Sequence, residues 1–143
     1  MNMTMWWYRV ASMMSVLFAF GHTYGFLRFR APSEEGQRVW SEMNSAYFTV
    51  GDRTFSYGGF YLGFGLIISA TVLFLALLMW WMGNRSNDGI RGLRSLTWLL
   101  VALEAVILGF SLRFFGAGPA VLSAMAAVAL SRAAMSKNLE ARA

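Results

Sequence analysis

His22 is the only histidine of the chain, and Glu104 is a carboxylate inside an apolar run from Ser95 to Leu112. A charged residue at the centre of a membrane-crossing helix costs about 2.5–3.5 kcal/mol to insert, so an acid there is tied to a function or to a polar partner. His22 is the best partner the sequence offers. An imidazole and a carboxyl side by side in a low dielectric could share a proton, act as acid and base on an apolar substrate, or hold a ligand. The candidate catalytic pair is therefore His22 and Glu104. One histidine and one carboxylate are too few donors for a metal ion, and the chain has no cysteine, so no metal, no cofactor and no thiol chemistry are expected. The structural alternative is that Glu104, protonated or hydrogen-bonded to His22, Tyr24 or Ser69, only fastens helices together.

The spacing of the polar residues says which elements must position them. Ala11, Ser15, Phe18, His22 and Gly25 recur at steps of three and four, and Thr97, Glu104 and Ser111 recur every seven; each set marks one face of a helix. Both faces are expected to point inward. If the two helices run in the same direction and Arg9 and Arg94 mark the same membrane level, His22 lies thirteen residues beyond the first and Glu104 ten beyond the second. At about 1.5 Å per residue the two differ by about 5 Å in depth, within reach of a contact. The glycine-rich start of the second span falls near that depth, so the expected ligand-binding set is His22, Thr23, Gly25, Tyr61, Gly65, Ser69 and Glu104. Arg113, nine residues after Glu104, falls on the opposite face and is expected to snorkel to headgroups.

Composition fixes the class of these helices. A chain of 143 residues that is 57% hydrophobic and 13% charged, with mean hydropathy +0.50, is too apolar to cover itself with a wetted surface. The expected fold is all-α, an integral membrane four-helix bundle in a single domain. Its spans are placed at residues 10–27, 57–81, 93–112 and 118–135, each tested against the roughly 20 residues needed to cross a bilayer. The fourth is short and alanine-rich, and is expected to lean on its neighbours. The net charge of +5 is read as arginines at headgroups rather than as a nucleic-acid surface, so the expected partners are membrane lipids, with other membrane proteins or self-association left open.

Lysine and arginine counts orient the chain. Arg9, Arg85, Arg91, Arg94, Arg132, Lys137 and Arg142 fall on one side, against Arg28, Arg30, Arg38, Arg53 and Arg113 on the other. Trp6, Trp7, Trp80, Trp81 and Trp98 gather on the first side. This predicts a multi-pass protein with cytoplasmic N- and C-termini. A signal peptide, with Arg9 in its n-region and cleavage near Ala19-Phe20-Gly21, is the competing reading. The run continues through Leu27 without the polar break that follows cleavage, so a retained first helix is expected.

The long connection, residues 28–56, is read as an extracytoplasmic segment. Pro32-Ser33 predicts a helix start, with Ser33 as N-cap and Glu34 and Glu35 in the first turn. Val39, Trp40, Met43 and Tyr47 then follow at helical spacing, giving an amphipathic helix on the outer face that caps the bundle or acts as a lid. Val50 to Thr54 reads as a turn. Within Tyr57 to Gly65, Gly59 and Gly63 form a G-x-x-x-G pair and Gly65 with Ser69 continues a small face, which predicts close helix packing or a cavity where side chains are missing. A phosphate cradle is disfavoured because no Lys-Ser/Thr follows.

Gly21-His22-Thr23-Tyr24-Gly25, Met43, Gly51-Asp52-Arg53-Thr54 and Phe60-Tyr61-Leu62-Gly63-Phe64-Gly65 together resemble a family of small bacterial inner-membrane proteins with four helices and no established activity. The resemblance covers residues 10–81. It implies the topology above and draws attention to His22, Thr23 and Gly25, but implies no reaction. Members often carry an acid just before the Phe-Tyr-x-Gly-Phe-Gly segment, where this chain has Gly59. The function expected is a noncatalytic structural or interaction subunit; the alternative is a binder or isomerase of an apolar small molecule or lipid, using His22 and Glu104.

Overall fold

The computed structural model describes residues 3–88, 90 and 92–136. Arg91, Lys137 and Arg142, used above to orient the chain, lie outside the described residues. Four helices are each long and apolar enough to cross a membrane: α1 (Met3–Arg28), α3 (Tyr57–Arg85), α4 (Leu93–Phe110) with the π-helical turn that continues it (Ser111–Phe115), and α5 (Ala117–Ala134). A shorter helix, α2 (Glu34–Ser45), and a hairpin of β1 (Tyr47–Val50) and β2 (Arg53–Ser56) connect α1 to α3. The first span begins seven residues earlier than residue 10, so Tyr8 and Arg9 are helical.

Local signals account for most boundaries. Ser33 caps α2 by accepting the Gly36 N–H at 3.1 Å, and Ser56 caps α3 by accepting that of Gly59 at 3.0 Å. The α2 helix stops at Ala46, whose backbone is extended. Tyr47 is therefore not on the helix face with Val39, Trp40 and Met43 but opens β1, paired with Ser56. Its neighbours Phe48, Thr49, Thr54 and Phe55 are strand formers, and a two-residue turn at Gly51-Asp52 joins them, with Gly51 at φ 62°, where glycine is favoured. The expected bare turn is thus a hairpin. Phe48 holds it to α3 through the rings of Tyr57 (4.8 Å) and Phe60 (5.3 Å), while Trp40 meets Tyr61 at 6.0 Å.

Helix α1 lies between α3 and α5, and α4 packs on α5. Tyr8, Met79, Met82 and Leu130 are wholly buried in a core at the end of the bundle remote from the hairpin. Ser12 Oγ donates to Ala76 O at 2.8 Å and fastens α1 to α3. The fourth span does lean on its neighbours: 39% of α5 is buried, against 17–22% for the other three. Ala120, Ser123, Ala126, Ala129 and Ala133 form its buried face, and small side chains let helix backbones approach closely where lipid supplies no hydrophobic drive. Its alanines are an interface.

The glycines of α3 divide differently from the sequence expectation. A Cβ on Gly63 would meet nothing within 4 Å, and one on Gly59 only Ser56 Oγ at 3.1 Å. The G-x-x-x-G pair therefore packs against no other helix of the chain. Gly65 does: a Cβ there would lie 2.4 Å from the Phe26 ring, and at the far end one on Gly83 would lie 2.9 Å from Tyr8 Cβ.

Candidate functional site

Tyr8, Ser15 and His22 recur every seven residues on α1, and Thr97, Glu104 and Ser111 every seven along α4 into its π-turn. The two lines face each other with a constant sequence offset of 89. At the first rung Tyr8 and Thr97 are hydrogen-bonded through their hydroxyls, both buried. Thr97 commits its proton to Leu93 O at 2.7 Å, which makes Tyr8 the donor. The second rung is looser. Ser15 Oγ stands 3.5 Å from Glu104 Oε1 and shares its single proton with Ala11 O at 3.2 Å and Met79 Sδ at 3.7 Å. At the third rung, His22 and Ser111 make no hydrogen bond to each other, and both line a cavity.

That cavity has a volume of about 620 Å³, within the range of small-molecule sites. Helix α1 contributes Phe18, Gly21 and His22; α3 contributes Ile67, Ile68 and Thr71; Leu103, Ile107 and Phe110 come from α4, and Gly118 and Pro119 from the start of α5. No charged side chain lines it, and none of α2 or the hairpin does. Ile67 and Phe110 remain 63% and 57% exposed although they form its walls. Its mouth therefore opens on the apolar flank of the bundle, between α3 and α4. Gly21 is part of the wall, and a Cβ there would meet nothing within 4 Å.

Glu104 lies outside this cavity. It borders a separate pocket of about 10 Å³ with Ser15 and Ser123, and Phe18, Val72, Ile107 and Leu122 line both spaces. Those four apolar side chains are the floor of the large cavity, with the carboxyl beneath them. Ser123 Oγ is buried there without a hydrogen-bond partner among the described residues. The expected contact between His22 and Glu104 is accordingly not formed. His22 is level with Ser111, seven residues beyond Glu104, a separation of about 10 Å along the helix axis rather than about 5 Å.

The partner of His22 is Ser69. His22 Nδ1 is 3.0 Å from Ser69 Oγ, and Thr23 Oγ1 shares its single proton between the same hydroxyl at 2.8 Å and Ala19 O at 2.7 Å. Phe18 and Phe26, one turn either side on α1, stack on the imidazole at centroid distances of 6.3 and 5.8 Å. The ring is thus held on both faces and at one nitrogen. Nε2 makes no hydrogen bond with a described residue.

Of the seven residues expected to bind a ligand, His22 alone lines the large cavity. Ser69 and Thr23 stand behind it as the tether. Gly65 packs on Phe26, Tyr61 bridges Phe26 and Trp40 on the outside, and Gly25 is exposed with open space beside it. Arg113 lies in the π-turn, exposed, with its guanidinium 5.2 Å from the Phe114 ring. Ser111 was legible as the end of the seven-residue repeat on α4. Gly21 and Thr71 carry no sequence signal of their own, and Tyr8 extends the α1 repeat by one step that a span starting at residue 10 leaves out. Among the described residues no cluster of side chains could hold a metal ion. No protein-family model, curated protein or solved structure matches the chain, so function is argued from the site alone.

Proposed function

We propose that the protein is a noncatalytic membrane binder of an apolar small molecule or lipid, held in the cavity beside His22. The observation that carries this is the cavity: about 620 Å³, apolar, contributed to by all four long helices and open on the flank that would face lipid. Its ligand would come from the bilayer. That Glu104 does not line the cavity argues against acid–base chemistry by the pair, because a molecule held beside His22 would be out of hydrogen-bond reach of the carboxyl. Glu104 then serves the bundle. The reading includes a multi-pass location in a bacterial inner membrane, with both termini cytoplasmic and α2 with the hairpin outside. The excess of lysine and arginine on the side of the two termini in the sequence, seven against five, supports that orientation.

The test fills the cavity. In Gly21→Leu the new side chain enters open space, and replacing a helical glycine favours the helix by up to about 1 kcal/mol. Protein purified in mild detergent and examined by native mass spectrometry should carry apolar molecules from the membrane. The Gly21→Leu protein should be as stable and carry none. Equal occupancy in the two proteins would sink the proposal.

A further inference from the structure

We propose that His22 Nε2 and Ser111 Oγ together anchor the hydroxyl of an uncharged, single-chain amphiphile whose apolar tail fills the cavity. This rests on the binding function proposed above and names the ligand's chemistry. The argument starts from the polar ladder. Its first two rungs are made between the helices, Tyr8 to Thr97 and Ser15 to Glu104. At the third, the two polar residues face the cavity with hydrogen-bonding capacity left over. Ser69 takes Nδ1 of His22 and the flanking phenylalanines cover both ring faces, so Nε2 is the capacity that remains. Ser111 is 1% exposed, yet its hydroxyl makes no hydrogen bond with a described residue; its backbone is engaged instead, the N–H donating to Ile107 O and Leu108 O and the carbonyl accepting the Gly116 N–H at 2.8 Å, which closes the π-turn. A π-turn of this kind is frequent at functional sites.

The wall chemistry limits what can bridge the two. Without a charged lining residue, a carboxylate, phosphate or ammonium headgroup would be desolvated with nothing to balance it. A hydroxyl both donates and accepts, so it satisfies Nε2 in either tautomer of His22 and Ser111 Oγ at the same time. A cavity of about 620 Å³ with its mouth between α3 and α4 suits one chain lying along those helices.

The experiment titrates detergent-solubilised protein with hexadecanol and with hexadecane and counts bound molecules by native mass spectrometry. The alcohol should bind about three- to tenfold more tightly than the alkane, the worth of a net hydrogen bond. Ser111→Ala should reduce the alcohol to the alkane's affinity while the alkane is unaffected. His22→Phe should do the same, and the double variant should lose no more than either single one. Equal binding of the two probes by the unmodified protein, or an undiminished preference in Ser111→Ala, overturns the anchor and leaves the binding function standing. Binding of neither probe overturns both.

Discussion

The two ends of this bundle are built from the same repeat and put to opposite use. At the tryptophan-rich end the seven-residue lines on α1 and α4 meet: Tyr8 bonds Thr97, and Met79, Met82 and Leu130 close around them. At the hairpin end the same lines reach His22 and Ser111 and stay apart, with a cavity between. The rungs loosen in order along the axis, from a bonded pair, through a 3.5 Å contact, to an open gap. Polar residues at regular helical spacing are therefore not a single signal. Where the helices close they fasten the bundle, and where they diverge they are left for something else to satisfy.

The closed end should be the sensitive one. Tyr8→Ala removes a fully buried ring together with the donor to Thr97, and is expected to cost about 3–5 kcal/mol, read as a large drop in the thermal midpoint in detergent. A loss of less than about 1 kcal/mol would show that the core at that end is not what holds α1 and α4 in register. Gly83→Ala drives a Cβ to within 2.9 Å of Tyr8 Cβ at the α1–α3 contact, and about 1–3 kcal/mol of overpacking is expected. Gly63→Ala on the same helix meets open space and should be neutral or slightly stabilising. If the two behave alike, the close approach at Gly83 is not real.

Glu104→Gln should also have little effect. The amide keeps an acceptor for Ser15 and the same shape, so stability should stay within about 1 kcal/mol of the unmodified protein. Because Phe18, Val72, Ile107 and Leu122 separate residue 104 from the cavity, uptake of hexadecanol should not change. A loss comparable to that of Ser111→Ala would mean that the floor is no partition and that carboxyl and cavity act as one site.

The helices were legible in the sequence because apolar length is a local property. So were the Ser33 cap and the α4 repeat, each written in consecutive residues. The pairing of Glu104 was misread by one turn of helix, and the reason is physical. Arg9 and Arg94 do not mark one level, because a long arginine side chain can reach headgroups from a range of depths. The ladder sets Arg9 level with Trp98 instead, a turn beyond Arg94. The hairpin was hidden because Tyr47 continues the spacing of Val39 and Met43 after the chain has left the helix. The cavity was not legible at all. It arises where α1 and α4 part, and no residue type records a separation between helices.

The floor has one more consequence. Beneath Phe18, Val72, Ile107 and Leu122 come the Glu104 pocket and then the packed core around Tyr8, so the chamber ends on that side. Under the binding proposal, a molecule held there has no path along the bundle axis toward the tryptophan-rich end. If the binding proposal holds, a single copy of the chain is in that sense a container rather than a conduit.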